Sequence, residues 1–132
     1  MLTVSTHPRT IEFRQIGVVH TPFDARDDAP RQGEREEARG TVVLSEEFTG
    51  GIVGLEPGDE VDVIWVADRA ARDVLEARGR GVFTTRSPAR PNPICVTRCT
   101  VRTISDDRRR IDLVGVDMLD RSPILDLKAP IR

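Results

Sequence analysis

From Ile94 to Ile104 (ICVTRCTVRTI) the chain alternates for eleven residues, directly after Arg86–Pro93 (RSPARPNP), which holds three prolines in eight positions. A period of two is the pattern of a strand with two unlike faces. Ile94, Val96, Arg98, Thr100 and Arg102 fall on one side, and Cys95, Thr97, Cys99, Val101 and Thr103 on the other. Proline lacks the donor that a helix interior or an inner strand requires. The chain must therefore build a long strand entered through a stiff, irregular crossover, and this pairing already favours a β architecture.

The remaining segments agree. Glu12–Val19 reads as a strand that stops at His20-Thr21-Pro22-Phe23, and Gly40–Leu44 reads as a second. In Glu60–Val66, Val61, Val63 and Trp65 share a face. Strand character returns at 81–85, Arg110–Asp117 and Ile124–Leu127, and Ser105–Arg109 reads as a charged hairpin connection. Asp68–Arg78 is the helix candidate: Asp68 can cap it, Ala70, Val74 and Leu75 form a narrow apolar stripe, and Gly79 can end it. Residues 24–39 carry dense charge of both signs and no apolar side chain larger than alanine, as in a loop that is solvated or serves a function. No strand–helix–strand alternation occurs. The expectation from these segments is a mainly β single domain of about six to seven short strands with one short helix, either a sandwich or a barrel. It spans 12–132 behind a loose segment at 1–11.

Charge and cysteine content narrow the function. A chain of 132 residues with net charge −2 has no overall basic excess of the kind that marks many nucleic-acid binders. Of its 20 basic residues only Lys128 is lysine, so cation chemistry here is guanidinium chemistry, suited to carboxylates and phosphates. Cys95 and Cys99, with only His7 and His20 as further soft ligands, make a poor zinc site. As strand residues they stand about 13 Å apart, too far for a disulfide, and read as small apolar side chains. No apolar run is long enough to span a bilayer and no signal-peptide pattern opens the chain, which points to the cytoplasm and to no membrane partner.

Dinucleotide-binding, P-loop, zincin and serine-hydrolase motifs are all absent. The densest chemical signal is Phe83–Pro93. Its prolines preorganise a loop that presents Arg86, Ser87, Arg90 and Asn92, and two arginines on a stiff loop suit an anionic or carboxylate-bearing ligand. A solvated structural crossover is the competing reading. A second polar cluster, Asp117–Pro123 with Asp126 and Lys128, can bind ribose hydroxyls or an amino group, or simply cap turns.

Four segments, in this order, resemble the TsaA-like (TrmO-type) family. They are Ile16-Gly17-Val18-Val19-His20-Thr21-Pro22-Phe23, Pro30-Arg31-Gln32, the run from Gly81 through Arg86-Ser87-Pro88 to Asn92-Pro93-Ile94, and Gly115-Val116-Asp117 through Leu127-Lys128. The resemblance covers roughly residues 12–130. It implies a β-barrel methyltransferase that uses S-adenosyl-L-methionine without a metal and forms a homodimer. It implies an acceptor that is a modified nucleoside of tRNA, of the N-threonylcarbamoyladenosine type, or a related small molecule. It further implies cofactor contacts by Gln32, Arg69, Arg86, Val96, Asp117, Met118, Leu119 and Asp120. Asp68 and Asp120 are the candidate bases. A cofactor-binding module without catalysis, or a small interaction barrel, is the alternative. The chain departs from the family at Ala67-Asp68, where Phe-His is usual, at Cys95-Val96 in place of Gly-Leu, and at Arg121, where glycine is usual. The tRNA-modifying members carry a further C-terminal domain and this sequence ends at Arg132, which, with the net charge of −2, weakens the tRNA expectation without ranking it against a small acceptor.

Overall fold

The structure, a computed structural model, describes residues 7–24 and 38–131. Six strands close into an antiparallel barrel: β1 (Gly17–His20), β2 (Arg39–Leu44), β3 (Glu60–Val66), β6 (Ile94–Ile104), β7 (Arg110–Val114) and β8 (Ser122–Lys128). Their order around the ring is β1-β2-β7-β6-β3-β8, and β8 pairs back onto β1. A two-stranded hairpin, β4 (Glu76–Ala77) and β5 (Arg80–Gly81), lies outside the ring.

Side-chain alternation explains the closure. In β3 Val61, Val63 and Trp65 point inward and are buried, while their neighbours are partly exposed. Val19, Val42, Leu44, Val101, Ile111, Leu113 and Ile124 fill the same interior at 1% exposure or less. Burying each such side chain contributes about 1.5–3 kcal/mol. On β6 the inward face is the one with Cys95, Thr97, Cys99 and Val101, so Ile94 and Val96 project outward. At the start of β1 a side chain on Gly17 would overlap the Val43 carbonyl oxygen, so close pairing with β2 requires glycine there.

Several expectations are corrected. No helix forms over 68–78. That segment makes turns and the β4–β5 hairpin, with Arg78 and Gly79 both at positive φ, and Leu75 is 65% exposed. A short amphipathic helix persists only when its stripe is buried, and Leu75, the largest member of this stripe, stays in solvent. The helical turns lie elsewhere, as 3-10 segments at Glu46–Ile52 and Val82–Thr84, the latter replacing most of the strand expected over 81–85. β1 starts at Gly17 rather than Glu12, and β7 ends at Val114 because Gly115 turns away at φ 101°. β6 bulges between Val101 and Thr103, which breaks the expected face pattern and leaves Thr103 exposed. Among the described residues no helix is long and apolar enough to cross a membrane.

Candidate functional site

The proline-rich crossover between β5 and β6 is braced by arginines. Arg90 Nη1 donates to the carbonyls of Thr85 and Ser87, each at 3.0 Å, and its Nη2 donates to the Val82 carbonyl at 3.0 Å. From the other side Arg72 donates to the Pro91 carbonyl at 3.0 Å and to the Asn92 side chain at 3.2 Å. Charge-assisted bonds to fixed carbonyls, added to three prolines, give this loop one shape. Arg90 therefore uses its donors inside the loop, and it lines the cleft as a fixed positive charge rather than as a free fork. Arg86 remains: it is exposed and forms no hydrogen bond or ion pair with another described residue.

Arg86 lines an open cleft of about 1150 Å³, together with Phe83, Arg90, Ile94, Val96, Thr97, Trp65 and Asp117. The apolar part of this wall is Phe83 (74% exposed), Ile94 and Val96. Asp117 is fixed from below. Trp65 Nε1 donates to Thr97 Oγ1 at 3.0 Å, and Thr97 Oγ1 donates to the Asp117 carboxylate at 2.6 Å. This chain runs from the barrel interior to the cleft and sets the direction of the carboxylate. Asp62 and Arg98, paired at 2.9 Å across β3 and β6, close one end. Cys95 also faces the cleft. Burial, helped by the Asp117 charge, pushes its thiol up to about 11, so it is neutral and unreactive at physiological pH.

The loop that carries Asp117 leads to a second group of polar residues. Arg69 Nη2 donates to the Asp120 carbonyl at 2.6 Å and to the Ser122 hydroxyl at 3.4 Å, and Arg69 Nε lies 3.6 Å from Asp68. The Asp120 carboxylate accepts from the Thr21 amide at 3.1 Å and pairs with His20 Nδ1 at 3.3 Å. Burial pulls this carboxyl upward, but the Thr21 amide, His20 and Arg121 outweigh it and hold it below the usual aspartate range. Thr21 also donates to the Met118 carbonyl at 2.8 Å.

The residues singled out in the sequence thus fall into groups. Arg86, Val96 and Asp117 line one cleft, whereas Asp68, Arg69 and Asp120 do not line it: Arg69 bonds the Asp120 carbonyl from outside the cleft, and among the described residues Asp68 pairs only with its neighbour Arg69. Met118 is fully buried, with its carbonyl taken by the Thr21 hydroxyl, so it presents no surface to a ligand here, and Leu119 is half-buried. Gln32, and with it most of the charged stretch 24–39, lies outside the described residues. Sequence reasoning missed Arg72, Trp65 and Thr97. For Arg72 no local signal exists, whereas Thr97 could have been noticed as a hydroxyl on the inward face of a strand.

The cleft suits a sulfonium-bearing nucleoside. An unpaired guanidinium is available to a carboxylate, a fixed aspartate to hydroxyls or an amino group, and an apolar wall to a ring or a thioether chain. Its size suits a cofactor of that class.

Comparison with known proteins points the same way. The family model for the tRNA-methyltransferase O N-terminal domain matches residues 18–132. A probable S-adenosyl-L-methionine-binding protein of Halobacterium salinarum is 51% identical over 115 residues, covering 86% of this chain and 93% of that protein. The Escherichia coli tRNA (adenine(37)-N6)-methyltransferase is 27% identical, covering 90% of this chain and 57% of that enzyme. A crystal structure of TrmO from Pseudomonas aeruginosa superposes with a TM-score of 0.79 at 30% identity, covering 93% of this chain and 57% of that one. This chain therefore spans little more than half of the TrmO structure it matches, and nearly all of the archaeal relative. With the model match running from β1 to the last residue, the chain belongs to the tRNA-methyltransferase O N-terminal domain family.

Proposed function

We propose that this protein binds S-adenosyl-L-methionine in the Arg86–Asp117 cleft and transfers a methyl group to a nitrogen of a tRNA modified nucleoside of the N-threonylcarbamoyladenosine type or of a related small acceptor. The observation that carries this reading is the joint placement of Arg86 and Asp117 on one cleft, with Arg86 held on a braced loop and left without a partner among the described residues. The relatives' names and the family membership support it.

When bound, the cofactor supplies a methyl group already activated on a sulfonium. The chain's own task is then mainly to position two reactants and manage one proton. Arg86 holds the cofactor carboxylate as a planar fork. Asp117, aimed by Thr97 and Trp65, accepts hydroxyl or amino hydrogens. Phe83, Ile94 and Val96 give an apolar surface that keeps water from the transferred group. A nitrogen that gains a methyl must release a proton, and Asp68 and Asp120 are the proposed acceptors; neither lines the cleft itself, and the Asp120 carboxylate turns to Thr21 and His20, so the acceptor nitrogen would have to approach from that side of the 117–120 loop. Gln32 completes the cofactor set. A homodimer and a cytoplasmic address belong to this reading.

Calorimetric titration with S-adenosyl-L-methionine tests it. Wild-type protein is expected to bind, and Arg86→Lys to bind much more weakly, because an ammonium cannot reproduce two parallel bonds. Absence of binding to wild type would overturn the reading. A mass gain of one methyl in bulk tRNA incubated with protein and cofactor identifies the acceptor, and its absence directs the search to small amines. Sedimentation equilibrium checks the dimer.

A further inference from the structure

A second concavity lies on the outer barrel wall, where β2, β7 and β6 run side by side. It measures about 270 Å³ and is lined by His20, Thr21, Arg39, Thr41, Arg102 and Asp112, among others. Its form follows from the bulge in β6. In a regular strand Arg102 and Thr103 would point to opposite faces, but across the bulge both are exposed. Thr103 donates its hydroxyl to one Asp112 oxygen, and Thr41 donates to the other at 2.6 Å. Both oxygens of the one carboxylate here are thus engaged by neutral hydroxyls. Arg39 and Arg102 are left without a hydrogen bond or ion pair to a described residue. Arg110, two positions before Asp112 on the same face, adds a further positive charge.

By contrast Arg98, further along β6, is neutralised by Asp62 at 2.9 Å. Among the described residues this wall therefore carries three guanidinium groups, Arg39, Arg102 and Arg110, against the single carboxylate of Asp112, whose charge Arg102 and Arg110 share, so positive charge is in excess there. The concavity also adjoins the candidate site through one side chain, because His20 lines it and reaches Asp120 at 3.3 Å.

We propose that this concavity is a phosphate subsite in which Arg39 and Arg102 clamp one phosphodiester of a polynucleotide acceptor. Two guanidinium forks carried on strands match phosphate oxygens, and the charge-assisted bonds must offset the ordering of two exposed side chains. The volume is ample for one phosphate group, and the two guanidinium groups, rather than the size, select an anion. The proposal rests on the methyl-transfer reading for the identity of the acceptor, and it places the phosphate backbone on the His20 side of Asp120.

The test is fluorescence anisotropy of the full chain with a labelled, unmodified anticodon stem–loop RNA over a range of KCl concentrations. Arg39→Gln and Arg102→Gln are each expected to lower affinity roughly fivefold at low salt and to reduce the slope of log K against log salt by about 0.7–0.9. Arg108→Gln, at the tip of the β6–β7 hairpin, should change neither. The double variant keeps the wild-type melting temperature and the wild-type affinity for S-adenosyl-L-methionine, which separates this site from the cofactor cleft. RNA binding of unchanged affinity and slope in the double variant would overturn the proposal. It would equally be overturned if inorganic phosphate bound wild type but not the double variant while both bound RNA alike. Failure of wild type to bind the cofactor would remove the methyl-transfer reading, yet the salt slopes would still decide the clamp.

Discussion

Arg69 Nη2 lies 2.6 Å from the carbonyl oxygen of Asp120, so one guanidinium ties the turn after β3 to the loop before β8. That loop carries Asp117 on its cleft side and Asp120 on its His20 side. Removing the tie in Arg69→Ala is expected to lower S-adenosyl-L-methionine affinity about tenfold, while costing less than about 1 kcal/mol of stability because the side chain is part-exposed. Calorimetry and urea denaturation separate the two effects. Equal affinity would show that the loop keeps its shape unaided.

Arg90 makes three bonds to main-chain carbonyls within the 82–90 turn. Lysine keeps the charge but not the fork, so Arg90→Lys is expected to loosen the presentation of Arg86. Cofactor affinity should fall about tenfold with little change in melting temperature. A large fall in melting temperature with intact affinity would assign Arg90 to the fold alone.

Thr97 is 2% exposed and stands between Trp65 and Asp117. Valine keeps its shape and removes both bonds, leaving the indole N–H without its acceptor. Thr97→Val is expected to cost about 1–3 kcal/mol in urea denaturation, and Thr97→Ser to recover most of that. A neutral Thr97→Val would mean that the indole finds water instead.

Cys95 titrates near 11 rather than at its ordinary 9.0, with burial the main cause. The folded chain thus favours the neutral thiol. Stability from this preference is complete below the unfolded thiol's value and is lost as pH rises through about 11. Alkylation by iodoacetamide should accordingly reach half its maximal rate near pH 11, against an ordinary thiol midpoint in the urea-unfolded chain. A native midpoint below 9 would contradict the burial of the sulfur.

Arg121 stands in the left-handed region at φ 67°. An L-residue there costs about 1–2 kcal/mol, and glycine gives back about 0.5–1 kcal/mol of that in added chain entropy. Arg121→Gly is therefore expected to stabilise slightly, by about 0.5 kcal/mol, since its amide bond to the Val19 carbonyl at 2.7 Å involves no side chain. Differential scanning calorimetry reads this as a small rise in melting temperature. A fall would mean that the Arg121 side chain stabilises the turn through its contact with Asp120.

The strands were read well where one face is buried and the other wet. β3 and β6 match their expected bounds, and β2 differs by one residue. The segment 68–78 misled because an apolar spacing of four residues is also met by side chains that stay in water, as Leu75 does. What holds that segment is long-range: Arg69 reaches Asp120 and Arg72 reaches Pro91, and no local periodicity announces such contacts. The bulge at Arg102 escaped for the same reason, since it depends on the register of β7. Arg86 and Asp117 were recognisable as motif residues. That Arg90 beside them serves the loop instead could be seen only once its carbonyl partners were in place.

The seam between β1 and β8 has a consequence for how binding is lost. Gly17 faces Ile124 across more than a hundred residues of intervening chain, so this seam carries the largest loop-closure cost of any pairing in the ring. The Asp120 corner, gripped by Thr21 just past one side of the seam and by Arg69 across the other, exists only in the finished ring. A molecule whose first strand has peeled away would keep most of its β-sheet signal and yet be blind to its cofactor. Ligand binding is thus an earlier alarm of unfolding than circular dichroism.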